Sequence, residues 1–223
     1  MKFTYIEDGI DCVIVDDFYT KKQLKDITLE LDAITRPEIF KVNQEQLDSY
    51  VDDNGNKMSS RSGIFLEQLF SDWRHSAIMS HGVTQTSTQE FQSKLLEFNT
   101  MFRGLFSCNA RTHLVSYYEN SDYYKPHVDV CSFTLMSYFH TTPKQYTGGE
   151  LVLQSCNSNK EVELEPENNQ AVLILSNTMH EVRPIISDLE NTFSGHGRYC
   201  VASFLSLIDN YITDELGLEK INK

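Results

Sequence analysis

Three side chains in this 223-residue chain are of the types that hold a divalent metal: His127, Asp129 and His180. The first two form a His-Val-Asp triplet at 127–129. On an extended strand, residues two apart face the same side, so an imidazole and a carboxylate at this spacing can serve one ion. Such triplets arise often by chance, and alone the ordinary reading is a surface histidine beside a turn-capping aspartate. His180 adds to it. It follows the apolar run AVLIL at 171–175 and sits in SNTMHEVRP, near an expected strand end. Two imidazoles and a carboxylate can bind a metal by one face and leave three positions open, as in non-haem iron(II) oxygen chemistry. Zinc hydrolysis uses similar ligands, so these residues alone leave the metal open.

A fourth residue narrows the chemistry. Arg198, in GRYCVASFL, begins an otherwise apolar strand. A buried guanidinium without a partner is costly, and a dicarboxylate co-substrate would supply one through paired hydrogen bonds that lysine cannot make. The order His-x-Asp, then His, then Arg on the last strand is more specific than any single piece. Of the remaining histidines, His75, His81 and His113 fall outside ligand spacing, His140 lies on the strand after the triplet, and His196 in a Gly-rich turn is the rival to His180. Cys131 is close to the triplet but reads as a packing residue.

The elements that would position these groups change character along the chain. Residues 12–15 (CVIV) read as a buried strand, and Thr20 as the N-cap of a helix over about 21–34 with an apolar stripe at Leu24, Ile27, Leu31 and Ile34. Residues 41–60 are polar and are expected to form an exposed loop or hairpin. RSGIFLEQLF (61–70) begins an ordered stretch. Ser87-Thr88-Gln89-Glu90 reads as a capping box opening a second helix, about 88–102, with Phe91, Leu95, Phe98 and Phe102 on one face. From about 109 the period becomes strand-like, with strands expected at 110–118, 132–140, 149–154, 161–165, 170–176 and 198–208. This pattern implies an α+β chain: a double-stranded β-helix (jelly-roll, cupin-like) core at about 109–208, N-terminal helices within about 1–108 packed outside, and a C-terminal tail at 209–223, all in a single domain, 1–223.

Composition excludes several classes. Hydrophobic residues make up 40% of the chain, enough for a real core. The net charge of -13 opposes a phosphate backbone, so nucleic acid is not an expected partner. Five cysteines (Cys12, Cys108, Cys131, Cys156 and Cys200) include no CxxC pair, so neither a disulfide framework nor a zinc knuckle is expected. No apolar stretch is long enough to span a membrane, and the opening MKFTYIEDGIDC carries acids where a signal peptide carries an apolar run. The expected setting is the reducing cytoplasm.

The chain resembles the catalytic domain of prolyl 4-hydroxylases, within the Fe(II)/2-oxoglutarate dioxygenases. The resemblance rests on DCVIVDDFYT (11–20), RSGIFLEQ (61–68), YYENSDYYKPHVD (117–129), TGGELVL (147–153) and HEVRPI (180–185), in the family's order, and spans about residues 11–208. It implies a hydroxylase that uses Fe(II), 2-oxoglutarate and O2, with ascorbate as reductant, acting on proline in a protein or peptide. By the same resemblance, His127, Asp129 and His180 bind the metal and carry the catalysis. Arg198 holds the distal carboxylate of 2-oxoglutarate with Tyr118 and Tyr138, and Tyr124 faces the substrate.

Three departures stand out. Asp129 runs almost directly into SFTLMSYF, where the family often has a long covering loop. The stretch from His180 to Arg198 is longer than usual and holds a polar insert, SDLENTFSGHG, that could form a mobile hairpin at the site. Cys200 stands where relatives carry serine or threonine. These leave the substrate open to a second reading, hydroxylation of a free amino acid or other small molecule. A third, non-catalytic reading is a cupin-like binding protein.

Overall fold

In the computed structural model, residues 1–7, 9–48, 50–155 and 157–208 are described, with side chains throughout except at 43 and 45–48. Cys156 and the tail at 209–223 lie outside the described residues. Two antiparallel sheets face each other. The larger has the order β1 (Lys2–Ile6), β2 (Cys12–Asp16), β11 (Gln170–Leu175), β7 (Phe133–Phe139), β14 (Arg198–Ser206), β5 (Ala110–Tyr118), β4 (Ser62–Phe65). The smaller runs β10 (Glu161–Leu164), β9 (Leu151–Gln154), β12 (Met179–Val182), β6 (Tyr123–His127), β3 (Ser59–Ser60). A short pair, β8 (Thr147–Gly148) and β13 (Ile185–Ile186), closes one end. This is the expected α+β double-stranded β-helix. All six expected C-terminal strands form, with ends displaced by at most a few residues.

Strand alternation divides the core in two. Along β14, Tyr199, Val201 and Leu205 pack with Tyr117, Val115 and Leu135 toward the helices. Cys200 turns the other way, into a second cluster between the sheets with Tyr118, Met136 and Tyr138. β14 is bonded on both edges, with Arg198 opposite Tyr118 of β5 and Cys200 opposite Tyr138 of β7. With the helix-side cluster on one face and the inter-sheet cluster on the other, β14 is covered on both faces, which explains its nearly continuous apolar character.

Helix α1 (Lys21–Ile34) starts at the expected cap: Thr20 and Gln23 bond each other's backbone N–H groups. Ile27, Leu31 and Ile34 are buried, as the stripe requires. Three expectations need correction. First, the polar segment at 41–60 is not all loop: α2 (Pro37–Asp48) covers its start. Proline suits a first helical position, and one anchor, Phe40, stacks on Tyr117 and Phe193 at ring separations of 6.3 and 5.7 Å. Among the described side chains of α2 only Phe40 is buried, and one ring leaves no periodic signal. Second, α3 (Ala77–Thr86) was not anticipated. Its start is held from outside, where Glu30 of α1 accepts from the Ser76 hydroxyl and the Ile78 amide. Third, the expected capping box does not form: Thr88 accepts from the Phe91 amide, and Phe91 has no polar side chain to return the bond. Thr88 caps α4 (Gln89–Phe98) and Ser87 ends α3. Extended backbone at Asn99 stops α4, and a 3-10 segment (Thr100–Ser107) carries Phe102 into the core. Strand β1 was also missed; it is half-exposed at the sheet edge.

The polar insert SDLENTFSGHG (187–197) does not border the central cavity. Phe193 stacks on Phe40 and Tyr117, and the Tyr117 hydroxyl accepts from the Gly195 and Gly197 amides. The insert is thus fastened to α2 and the helix side of the large sheet.

Gly149 lies against the base of the cavity at φ +74°, where an added Cβ would run into Ile185 and press on Cδ of Arg198 at 3.1 Å. Gly55 has a similar φ, +79°, with nothing near it. Gly55→Ala is expected to cost about 1–2 kcal/mol from backbone conformation alone. Gly149→Ala should cost clearly more, by the added collision. Urea unfolding of both variants measures the difference, and equal losses would show that the space beside Arg198 is not limiting.

Candidate active site

His127 closes β6 and His180 lies in β12, and the two residues are direct partners in the antiparallel pair. That register places their imidazoles side by side, with ring centres 4.2 Å apart. Asp129 stands just beyond β6, held by its amide hydrogen bond to the Ser176 carbonyl at 2.9 Å. The triplet is therefore not wholly on a strand as expected, but the carboxylate still reaches the imidazoles. Asp129 Oδ1 is 3.8 Å from His127 Nε2, and Oδ2 is 3.6 Å from His180 Nε2. One ligand atom from each of the three residues lies within 4.8 Å of the others.

The protonation pattern suits metal binding. Nδ1 of His127 is 2.8 Å from the Lys125 carbonyl, and Nδ1 of His180 is 2.9 Å from the Thr178 carbonyl. A carbonyl only accepts, so each Nδ1 carries the proton and each Nε2 turns a lone pair inward. Burial, then the neighbouring His180, pushes the His127 pKa down to about 3, which keeps that imidazole neutral. Thr134 donates to Asp129 Oδ2 at 2.6 Å and contacts the Ser176 hydroxyl at 3.0 Å. Cys131 joins this network through Ser176 at 2.7 Å, as a supporting group rather than a fourth ligand.

A cavity of about 670 Å³ opens from the three residues along the inner face of the large sheet. At one end stands Arg198, 2% exposed, with Nε, Nη1 and Nη2 all buried and without a hydrogen-bond partner among the described residues. Its guanidinium lies over the rings of Tyr118 and Tyr138, at 5.0 and 4.8 Å from their centres. Burial raises the pKa of both phenols, so they remain neutral donors. The Tyr138 hydroxyl meets Met136 Sδ at 3.3 Å. Tyr124 stacks on His127, ring centres 3.5 Å apart and nearly parallel at 15°.

The expected residues His127, Asp129, His180, Arg198, Tyr118, Tyr138 and Tyr124 thus all line one cavity. His196 is exposed, His140 bonds the Thr141 carbonyl, and His113 pairs with Glu67; none of them borders it. Sequence reasoning missed Arg61, Tyr50 and Thr134 as lining residues. Arg61 stood in a quoted segment, RSGIFLEQ, but only the fold carries that segment to the cavity.

The family comparison is decided by the barrel itself, since the model of the 2OG-Fe(II) oxygenase superfamily matches residues 112–206. Residues 112–206 are thus similar to a 2OG-Fe(II) oxygenase domain. Among curated proteins, none matches the chain in sequence. Solved structures share the fold of the oxygenase domain and its helices. A Pseudomonas putida prolyl-4-hydroxylase aligns with TM-score 0.55 and 13% identity over 89% of this chain and 93% of that one. A Trichoplax adhaerens prolyl hydroxylase in complex with a hypoxia inducible factor peptide fragment aligns with TM-score 0.55 and 15% identity, over 93% and 87%. A Phytophthora capsici prolyl 4-hydroxylase aligns with TM-score 0.50 and 14% identity, over 94% and 68%. The superfamily implies Fe(II), 2-oxoglutarate and O2. The residues present fit these groups: two inward imidazole lone pairs beside a carboxylate suit the metal, and the orphaned Arg198 nitrogens suit a dicarboxylate.

Thr134 holds Asp129 by Oδ2 and leaves Oδ1 toward His127. Thr134→Val should weaken metal binding by about tenfold to a hundredfold, and Thr134→Ser should restore most of it. Metal titration of the purified protein tests this; equal affinity in all three forms would remove Thr134 from the site's support.

Proposed function

We propose that the protein is an Fe(II)- and 2-oxoglutarate-dependent hydroxylase acting on proline in a protein or peptide. The observation that carries the reading is Arg198, whose three buried nitrogens lack hydrogen-bond partners among the described residues, in the same cavity as the His127, Asp129 and His180 cluster. In this reading His127 and His180 bind the metal through Nε2 and Asp129 through a carboxylate oxygen. Arg198 takes the far carboxylate of 2-oxoglutarate, and the Tyr118 and Tyr138 hydroxyls orient it. Bound there, iron with 2-oxoglutarate and O2 supplies the oxidising power to place a hydroxyl on an unactivated C–H bond. The chain's own contribution is geometric. The tyrosine rings hold the guanidinium in place, the apolar walls exclude water, and Tyr124 shields one side of His127 and faces the substrate. Ascorbate is the expected reductant. The working unit is a single domain with its jelly-roll core at about 109–208. No described helix is long and apolar enough to cross a membrane; we place the protein in the cytoplasm.

A second reading keeps the chemistry and changes the substrate to a free amino acid or other small molecule. The short link between β6 and β7, residues 128–132, favours it, because it supplies little chain to cover a peptide. A non-catalytic cupin-like binder is disfavoured by the complete ligand set.

Charge-assisted hydrogen bonds are worth roughly 1.5–3 kcal/mol, so Arg198→Ala should weaken 2-oxoglutarate binding by about tenfold to a hundredfold. His127→Ala should abolish metal binding and turnover together. The measurement is succinate formed from 2-oxoglutarate with Fe(II) and ascorbate, with and without proline-containing peptides. Peptide stimulation supports the prolyl reading, and turnover without it favours a small molecule. No 2-oxoglutarate binding to the iron-loaded wild type would overturn both.

A further inference from the structure

Two arginines line the cavity, and the proposed chemistry uses only one. Arg61, just ahead of β4, is 8% exposed. Its Nη1 donates to the Ser116 hydroxyl on β5, and its Nε is buried without a hydrogen-bond partner among the described residues. Its guanidinium carbon lies 4.6 Å from the centre of the Tyr124 ring, and that ring stacks on His127. Arg61 therefore stands one aromatic ring away from the candidate metal ligands.

The charges of the cavity wall make this arginine unusual. Besides the two imidazoles, the ionisable groups that would be charged at neutral pH are Asp129, Arg198 and Arg61. Asp129 is answered by a metal and Arg198 by 2-oxoglutarate, while Arg61 has only a neutral hydroxyl and an aromatic face. The chain has 32 acidic residues against 19 basic ones, yet no described carboxylate pairs with Arg61. Arginine cannot shed its proton, so its charge stays in the cavity.

We propose that Arg61 binds a carboxylate on the substrate. A single guanidinium beside the Ser116 hydroxyl matches a monoanion, whereas a phosphate would call for a second cation. Phe65, Leu114, Ala202 and Phe204 supply an apolar wall along the same cavity for the hydrocarbon part. The separation by one ring sets the size: the carbon offered to the metal lies a few bonds from the carboxylate. A compact acid meets this, either as a free molecule or as an acidic residue beside the reacting one. The inference rests on the oxygenase reading for the metal and 2-oxoglutarate sites.

The test uses matched probes that differ only in charge. Iron-loaded protein, saturated with 2-oxoglutarate under anaerobic conditions, is titrated calorimetrically with N-acetylproline and its amide, N-acetylleucine and its amide, and hexanoate and hexanamide. A further pair, an amidated proline dipeptide ending in glutamate or in glutamine, separates a side-chain carboxylate from a terminal one. In at least one pair the acid should bind at least about tenfold more tightly than its neutral partner. Arg61→Met should abolish the difference and Arg61→Lys should retain part of it. Equal binding within every pair, a preference that survives Arg61→Met, or no binding of any acid at millimolar concentration overturns the inference. The wild-type comparison stands even if Arg61→Met fails to fold. The prior 2-oxoglutarate titration keeps the two failures apart. If 2-oxoglutarate binds and the acids show no preference, only the role of Arg61 falls; if it does not bind, the oxygenase reading falls and takes this inference with it.

Discussion

An arginine side chain does not give up its charge in a protein, and Arg198 carries that charge between two β-sheets with none of its three nitrogens hydrogen-bonded among the described residues. Much of the surrounding structure makes this tolerable. β14 is central in its sheet, with Arg198 paired to Tyr118 of β5 and the next residue, Tyr199, paired to Phe139 of β7. Tyr118 and Tyr138, on the neighbouring strands, present ring faces whose negative quadrupoles offset part of the lost hydration. Gly149 leaves the room that the side chain occupies. What these features do not provide is a counter-charge, and a site left in that state is built for an anionic visitor.

The two sheets divide the work. The large sheet supplies the anion end of the cavity from β5, β7 and β14, and its other face is braced by the helices through Tyr199, Val201 and Leu205. The small sheet supplies both imidazoles from one antiparallel pair, where register alone sets them side by side. Asp129, in the link that follows, leans on Ser176 at the end of β11 in the large sheet and on Thr134 of β7. The ligand cluster thus joins the two sheets, so its geometry depends on their spacing as well as on local sequence.

Charge is distributed with similar economy. The surface is strongly acidic, while the cavity wall carries two arginines and one aspartate. The acids lie elsewhere, in pairs such as Glu67 with His113 or in the turn around Asp52, whose carboxylate is held near pKa 2 by hydrogen bonds from Asn56. A cavity of opposite character to its surface concentrates the attraction for anions where they are to be bound.

Several parts of this arrangement were legible in the chain itself. Period-2 alternation located the C-terminal strands, and Thr20 with the stripe Leu24, Ile27, Leu31 and Ile34 located α1, because these signals are local and repeat. The spacing of His127 and Asp129, the position of His180 after an apolar run and a charged residue opening an apolar strand marked out the site for the same reason. Other features became visible only in three dimensions. Helix α2 packs the ring of Phe40 against Tyr117, and the start of α3 draws on a carboxylate contributed by α1, contacts that reach each helix from other parts of the chain. The insert before Arg198 is fastened by Phe193 to a helix far away in sequence. Arg61, Thr134 and Ser176 reach the site from segments whose sequence reads as ordinary strand ends. Residue type and spacing determined which groups could do chemistry here, because those depend on near neighbours in the chain. Tertiary packing decided which groups share a cavity and which charges lack partners, because distance through space and exclusion of water are set by the whole fold.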